Sequence, residues 1–176
     1  MKKTPKFWIL IFILIIFLFG LFSFYETMFR EYHPIIGSQP KTEYSDFADG
    51  NKIESTTITA TSSEENISFK LKDLLTFKLV IFNDPKNILP VPIISYLTSD
   101  GIIVTAISLS ENCKSKDFYL DGKNIHCANC PSYWNKESLE AYACCSNYYP
   151  EPIESKLVGD EIRISYELLK NWKPRQ

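Results

Sequence analysis

From Phe7 to Tyr25 the chain carries nineteen consecutive uncharged residues, nearly all apolar, with only Gly20 and Ser23 interrupting the run. No other stretch restricts the possible fold so tightly. In hydrocarbon every backbone N–H and C=O must be satisfied within the segment, which a helix achieves and an isolated strand does not. At about 1.5 Å rise per residue the run covers roughly the 30 Å core of a bilayer. Trp8 and Tyr25 stand near its two ends, where interfacial aromatics anchor a span. Lys2, Lys3 and Lys6 precede it, whereas Glu26, Arg30 and Glu31 follow. This asymmetry predicts a cytoplasmic 1–6, a single-pass transmembrane anchor over 7–25 and an extracytoplasmic remainder at the cell membrane. Phe24, Tyr25 and Met28 put bulk where signal cleavage needs small residues, so the segment reads as an uncleaved signal anchor.

Beyond the anchor, residues 26–65 carry eight acids against three Lys or Arg, with Pro34, Gly37, Pro40 and Gly50 as punctuation. Such a stretch buries too little apolar surface to offset its ordering entropy, and a polar tether is expected. A short strand within Lys52–Thr61 is possible, and His33 reads as a solvated loop residue. The net charge of −2 gives no basic footprint, so no nucleic-acid partner is expected.

Residues 66–176 are expected to form one compact domain that is mainly β, a small α+β fold. Ile67, Phe69 and Leu71 alternate with Ser68, Lys70 and Lys72, the period of a half-buried strand. Thr76–Phe82 reads as another strand, closed by a turn at Asn83-Asp84-Pro85, and Pro90 and Pro92 mark an edge or a loop entry. Ile93–Leu97 and Ile102–Leu109 flank Ser99-Asp100-Gly101, a strong hairpin signal. Ile153–Val158 and Glu161–Ser165 read as strands joined by Gly159-Asp160. A helical turn is expected over Tyr166–Trp172, with Leu168, Leu169 and Trp172 inward. A second helix is expected over Asn135–Ala143, capped by Asn135.

All five cysteines fall between Cys113 and Cys145. Thirteen residues separate Cys113 from Cys127, two separate Cys127 from Cys130, and thirteen separate Cys130 from the vicinal Cys144 and Cys145. A CxxC turn brings two sulfurs to one side and recurs as half of a four-thiolate metal site. Four thiolates suit zinc, an iron–sulfur cluster or copper(I), and spacing alone does not choose among them. His126 adjoins Cys127 and could replace a thiol. Two disulfides with a leftover thiol remain the alternative, since an extracytoplasmic compartment is often oxidising. Thioredoxin-like exchange fits less well, because Pro131 follows the CxxC and strands dominate the surroundings. No CxxCH, phosphate loop, HExxH or GxSxG is present, and no catalytic residue is assigned. Asp117, Asp121, Glu151 and Glu154 read as solvated loop acids. Tyr133, Trp134, Tyr148 and Tyr149 read as an aromatic rim that walls the site from water.

From about Ile67 to Ser165 the chain resembles the FtrD-like membrane iron–sulfur protein domain. The likeness lies in Tyr96–Gly101, Cys113, Phe118-Tyr119, His126–Cys130, and Cys145-Ser146-Asn147 with Pro150 and Pro152. The resemblance implies membrane attachment, a cysteine-ligated centre, and a role in electron transfer or in iron or copper handling beside a metal permease or redox partner. By position, Cys113 matches the second cysteine of the family's first pair, and Ser110 stands where the first would be. Cys127 and Cys130 match the family's CxxC. Cys145 matches its last cysteine, with Ala143-Cys144 in place of two glycines. The expectation is a non-enzymatic metal-binding protein with ligands among Cys113, Cys127, Cys130, Cys144 and Cys145. The competing class is a structural or interaction domain stapled by zinc or disulfides.

Overall fold

The computed structural model describes residues 5–28, 31–44, 51–143 and 148–175, and the chain divides into two units. The first is the helix α1 (Pro5–Met28). Its window Trp8–Tyr25 has a mean hydropathy of 2.7 and is long and apolar enough to cross a membrane. Nearly all its described side chains are exposed, unlike those of a core helix.

The second unit begins at Tyr32. It runs through α2 (Pro34–Gly37), β1 (Ile53–Glu54), β2 (Thr56–Thr57), β3 (Thr61–Ser62), β4 (Asn66–Lys70), α3 (Leu71–Phe77) and β5 (Leu79–Phe82). There follow β6 (Ile93–Leu97), β7 (Ile103–Ile107), β8 (Phe118–Asp121), β9 (Asn124–Cys127) and β10 (Tyr133–Asn135). The chain closes with β11 (Glu151–Ile153), β12 (Lys156–Val158), β13 (Glu161–Ser165) and α4 (Tyr166–Leu169). Strands dominate, as expected for a mainly β domain. A central sheet, β11-β7-β6-β5-β2, is antiparallel except for the parallel β2–β5 pair. Two four-stranded sheets accompany it, β12-β13-β4-β3 and β1-β8-β9-β10.

Both faces of the central sheet are covered, which is why β5, β6 and β7 are buried end to end and read as near-continuous apolar runs. Val80, Phe82, Ile93, Leu97, Ile103 and Ile107 pack against Ile67, Phe69, Ile162 and Ile164, under Leu74, Tyr166 and Leu169. Their neighbours Leu79, Ile94, Tyr96, Val104 and Ala106 pack against Phe118, Leu120, Ile125, Cys127 and Trp134 on the other face. The Asp-Gly hairpin forms as expected, and Gly101 takes φ 80°. A Cβ there would overlap the carbonyl oxygens of Thr42 and Tyr44, because residues 40–44 cross directly over the turn.

Several local readings differ from the structure. Leu71 and Thr76–Phe77 belong to α3, whose Leu71, Leu74 and Leu75 follow helical spacing; Lys78, at φ 65°, ends it and starts β5. Ile153–Val158 is two strands in two sheets. The buried Gln39 wedges between them, donating to Ile153 O at 2.6 Å and accepting from Ser155 N and Oγ. Asn135–Ala143 is not a helix: Asn135 Oδ1 accepts from Glu137 N and Ser138 N in a turn after β10. In α4, Tyr166 and Leu169 face inward, whereas Leu168 is 43% exposed.

Part of the stretch read as a tether is folded. Ile36 is fully buried, and Gln39 and Tyr32 bond to the β11–β12 junction and to Asp100. β1 and β2 both lie within Lys52–Thr61, in different sheets. His33 is not solvated: it caps α2 and meets Tyr149 edge-on.

Candidate metal centre

Three of the five cysteines converge. Cys113 lies in the loop after β7, which closes on itself through the Ser110–Ser115 bridge and the bond from Ser108 Oγ to Lys116 O at 2.7 Å. Cys127 ends β9 with its side chain in the apolar layer, 3% exposed. Cys130 follows in a tight turn whose ends meet through Cys127 N donating to Ser132 O at 3.0 Å. Asn129 Nδ2 donates to Ser115 Oγ at 3.0 Å, and Ala128 N to Asp117 O at 2.9 Å, so the turn and the Cys113 loop are tied together.

The sulfurs of Cys113 and Cys127 are 3.4 Å apart, and all three lie within 4.8 Å of one another. Thiolates on one tetrahedral ion, with metal–sulfur bonds of about 2.3 Å, stand roughly 3.8 Å from each other. The trio is therefore spaced to surround a single point, and all three are free thiols. Each environment is distinct. Burial pushes the Cys127 thiol up, to about 11. Burial also acts upward on Cys130, but the Ser132 hydroxyl and amide, with the neighbouring Cys127 and Cys113 thiols, outweigh it and bring that thiol down to about 7. A thiolate at Cys130 near neutral pH is ready to bind a soft cation.

Cys144 and Cys145, with Ser146 and Asn147, lie outside the described residues. His126 does not join the trio. Successive strand residues point to opposite faces, so His126 lies on the far side of β9 from Cys127. There it stacks between Tyr119 and Tyr133 at 4.8 and 4.7 Å, and burial lowers its pKa. The same parity splits the expected aromatic rim. Tyr133 continues that outer stack to Tyr142, while Trp134 is fully buried beside Phe118, with no protein acceptor for its indole N–H among the described residues. Tyr149 lies under the Arg175 guanidinium, 4.5 Å from its ring centre. Of the acids read as solvated, Glu151 instead accepts from Trp172 Nε1 at 2.8 Å.

Two groups near the trio carry no signal by spacing alone. The buried Ser110 and Ser132 hydroxyls contact Cys113 and Cys130, and Arg175 binds Glu111, two residues from Cys113. Ser110 stands out only as the residue in place of a family cysteine, Ser132 carries no signal of its own, and Arg175 lies far along the chain from Glu111.

Residues 71–175 match the protein family described as membrane iron–sulfur containing protein FtrD-like. The chain belongs to that family. No curated protein and no solved structure is significantly similar to it. The FtrD-like match takes in the hairpin, all three converging cysteines and the C-terminal segment through Arg175. A thiol-only donor set against an apolar layer fits the iron–sulfur wording of the family's description. With α1, it fits a metal-binding, membrane-associated protein.

Proposed function

We propose that this FtrD-like chain is a membrane-anchored electron carrier whose centre is held by Cys113, Cys127 and Cys130, with a fourth thiolate from Cys145 or Cys144. The observation that carries this reading is the convergence of three thiols within 4.8 Å. An iron–sulfur cluster bound there would supply a reversible one-electron couple. The chain's own residues do the rest. Cys127 seats the site against the apolar layer, Cys130 offers the readiest thiolate, and the Asn129–Ser115 bond holds the two loops together. The lysines at positions 2, 3 and 6 support a domain on the extracytoplasmic side. There it would exchange electrons with a membrane metal permease or another redox partner.

The competing reading is a structural zinc site, favoured by the burial of Cys127 in the core layer. One preparation separates them. The full chain, purified in detergent under anaerobic conditions, is expected to contain iron and acid-labile sulfide and to show visible charge-transfer bands that Cys127→Ser abolishes. Stoichiometric zinc in a colourless chain would replace electron transfer with structure. A chain without metal whose thiols are paired would sink both readings.

A further inference from the structure

We infer that the buried hydroxyls of Ser110 and Ser132 tune the cysteine site, each donating a hydrogen bond to one ligating sulfur and raising the centre's reduction potential. The inference rests on the reading above in treating the sulfurs as ligands. Ser110 Oγ lies 3.4 Å from Cys113 Sγ, and Ser132 Oγ lies 3.3 Å from Cys130 Sγ. Both serines are enclosed, at 0% and 1% exposure. Neither position depends on side-chain choice alone. Ser110 N donates to Ser115 O at 2.8 Å, and Ser132 O accepts from Cys127 N at 3.0 Å, so the backbone of each loop delivers its hydroxyl to the sulfur.

In the free thiols the S–H groups donate and the hydroxyl oxygens accept. A sulfur that gives up its proton to bind metal becomes an acceptor only. Each hydroxyl can rotate about its Cβ–Oγ bond, so O–H···S replaces S–H···O without movement of heavy atoms. A hydrogen bond to a ligating sulfur favours the state with more negative charge, which is the reduced one, and so raises the potential. Cys127 lies deepest of the three against the apolar layer, a setting that disfavours the reduced state, although the Asn129 amide and the Ser115 hydroxyl also reach its sulfur. The two serines act on the more accessible sulfurs and oppose that tendency. They come from separate loops but act on sulfurs of one centre, so the double variant measures how strongly the two contacts couple.

The test uses the full chain in detergent, as wild type, Ser110→Ala, Ser132→Ala, the double variant and Ser132→Thr. Midpoint potentials are read by redox titration of the visible bands. The same proteins, stripped and loaded with cobalt(II) alone, report the sulfur-to-cobalt charge-transfer band. Each alanine is expected to shift the redox equilibrium about tenfold toward the oxidised form, about 59 mV for one electron. The double variant should shift further than either single variant, and Ser132→Thr should keep the wild-type value. The cobalt band should move to longer wavelength in step. A midpoint and a cobalt band that both stay put in either folded alanine variant would overturn the inference, and so would loss of cobalt binding in both. Should one alanine variant not fold, the other decides, because the two hydroxyls lie in different loops. A wild type without iron but with a cobalt band that moves would sink the electron-carrier reading and leave the hydroxyl contacts standing.

Discussion

The two layers that cover the central sheet are built differently. On one side, β4 and β13 lie in register over five residue pairs, and α3 and α4 close the ends. Its main polar feature is one buried carboxylate: Asp84 accepts from the amides of Lys86, Ile88 and Leu89 and from Tyr166 Oη. On the other side, β8, β9 and β10 are shorter, and loops held by hydroxyls, an amide and thiols complete the layer. Regular pairing with satisfied polar groups secures the first layer. The second brings three sulfurs, two of them only partly buried, to face one point, the arrangement of a soft-metal site. The first layer is therefore a scaffold and the second a holder.

The largest test of that contrast is Phe82→Ala. Phe82 is buried in the scaffold layer and packs against the tilted ring of Phe69, 4.7 Å between ring centres. Removing it should cost about 3–5 kcal/mol in chemical unfolding, while metal content per folded chain stays at the wild-type level. A variant that keeps its stability but loses metal would break the division of labour. The reverse experiment acts on the holder. Stripping metal with a chelator should speed amide exchange in β8–β10 and the Cys113 loop by about tenfold or more while β4 and β13 stay protected. Uniform loosening across both layers would show that the site staples the whole domain.

The scaffold was the more legible of the two. Ile67 and Phe69 alternate with polar neighbours, and Asp100-Gly101 falls between two apolar runs, so pairing periods and turn chemistry agree. The cysteine trio was legible because CxxC is a short-range signal. What was missed has physical reasons. The amide-accepting side chain of Asn135 serves a helix cap and a turn equally well, so sequence pattern alone cannot separate them. Residues 32–41 are anchored by Ile36 and Gln39, and two buried side chains in a polar run make no period. His126 looked available to the metal because the strand that turns it away from Cys127 was not recognised. The serine contacts were invisible, since Ser110 and Cys113 meet only once the loop closes.

A smaller effect is expected at the scaffold's buried carboxylate. Burial pushes Asp84 upward, but three amides and the Tyr166 hydroxyl outweigh it and hold it below the usual carboxylate range. Tyr166→Phe should cost about 1–3 kcal/mol at neutral pH by leaving that acceptor short of one donor. The sign with pH follows from the lowered folded value. In the window between that value and the unfolded one, near 3.9, the unfolded chain binds more protons, so stability rises with pH. The Asp84 contribution is thus fully present above about pH 4 and fades as pH falls through the lowered value. Urea midpoints measured downward from pH 6 should show this loss in wild type and less of it in Asp84→Asn. Equal slopes in the two proteins would remove Asp84 from the account.

The smallest expected effect tests how firmly the holder's loops are clasped. Arg175 donates from its amide to Glu111 at 2.7 Å, from Nε to the same carboxylate at 3.1 Å, and from Nη2 to Tyr149 O at 2.5 Å. The Glu111 side chain is only 5% exposed, so the loop bearing Cys113 is tied to the segment at Tyr149 through one planar fork. Lysine keeps the charge and the backbone bond but cannot serve both acceptors at once. Arg175→Lys should therefore cost about 0.5–1.5 kcal/mol, one ordinary hydrogen bond. Its effect should appear as faster metal release to a competing chelator rather than as a change in the visible spectrum. Faster release with an unchanged spectrum would place the clasp outside the ligand set and still within the holder. A shifted spectrum would mean that the fork fixes sulfur geometry directly, and that the holder reaches the C-terminal segment.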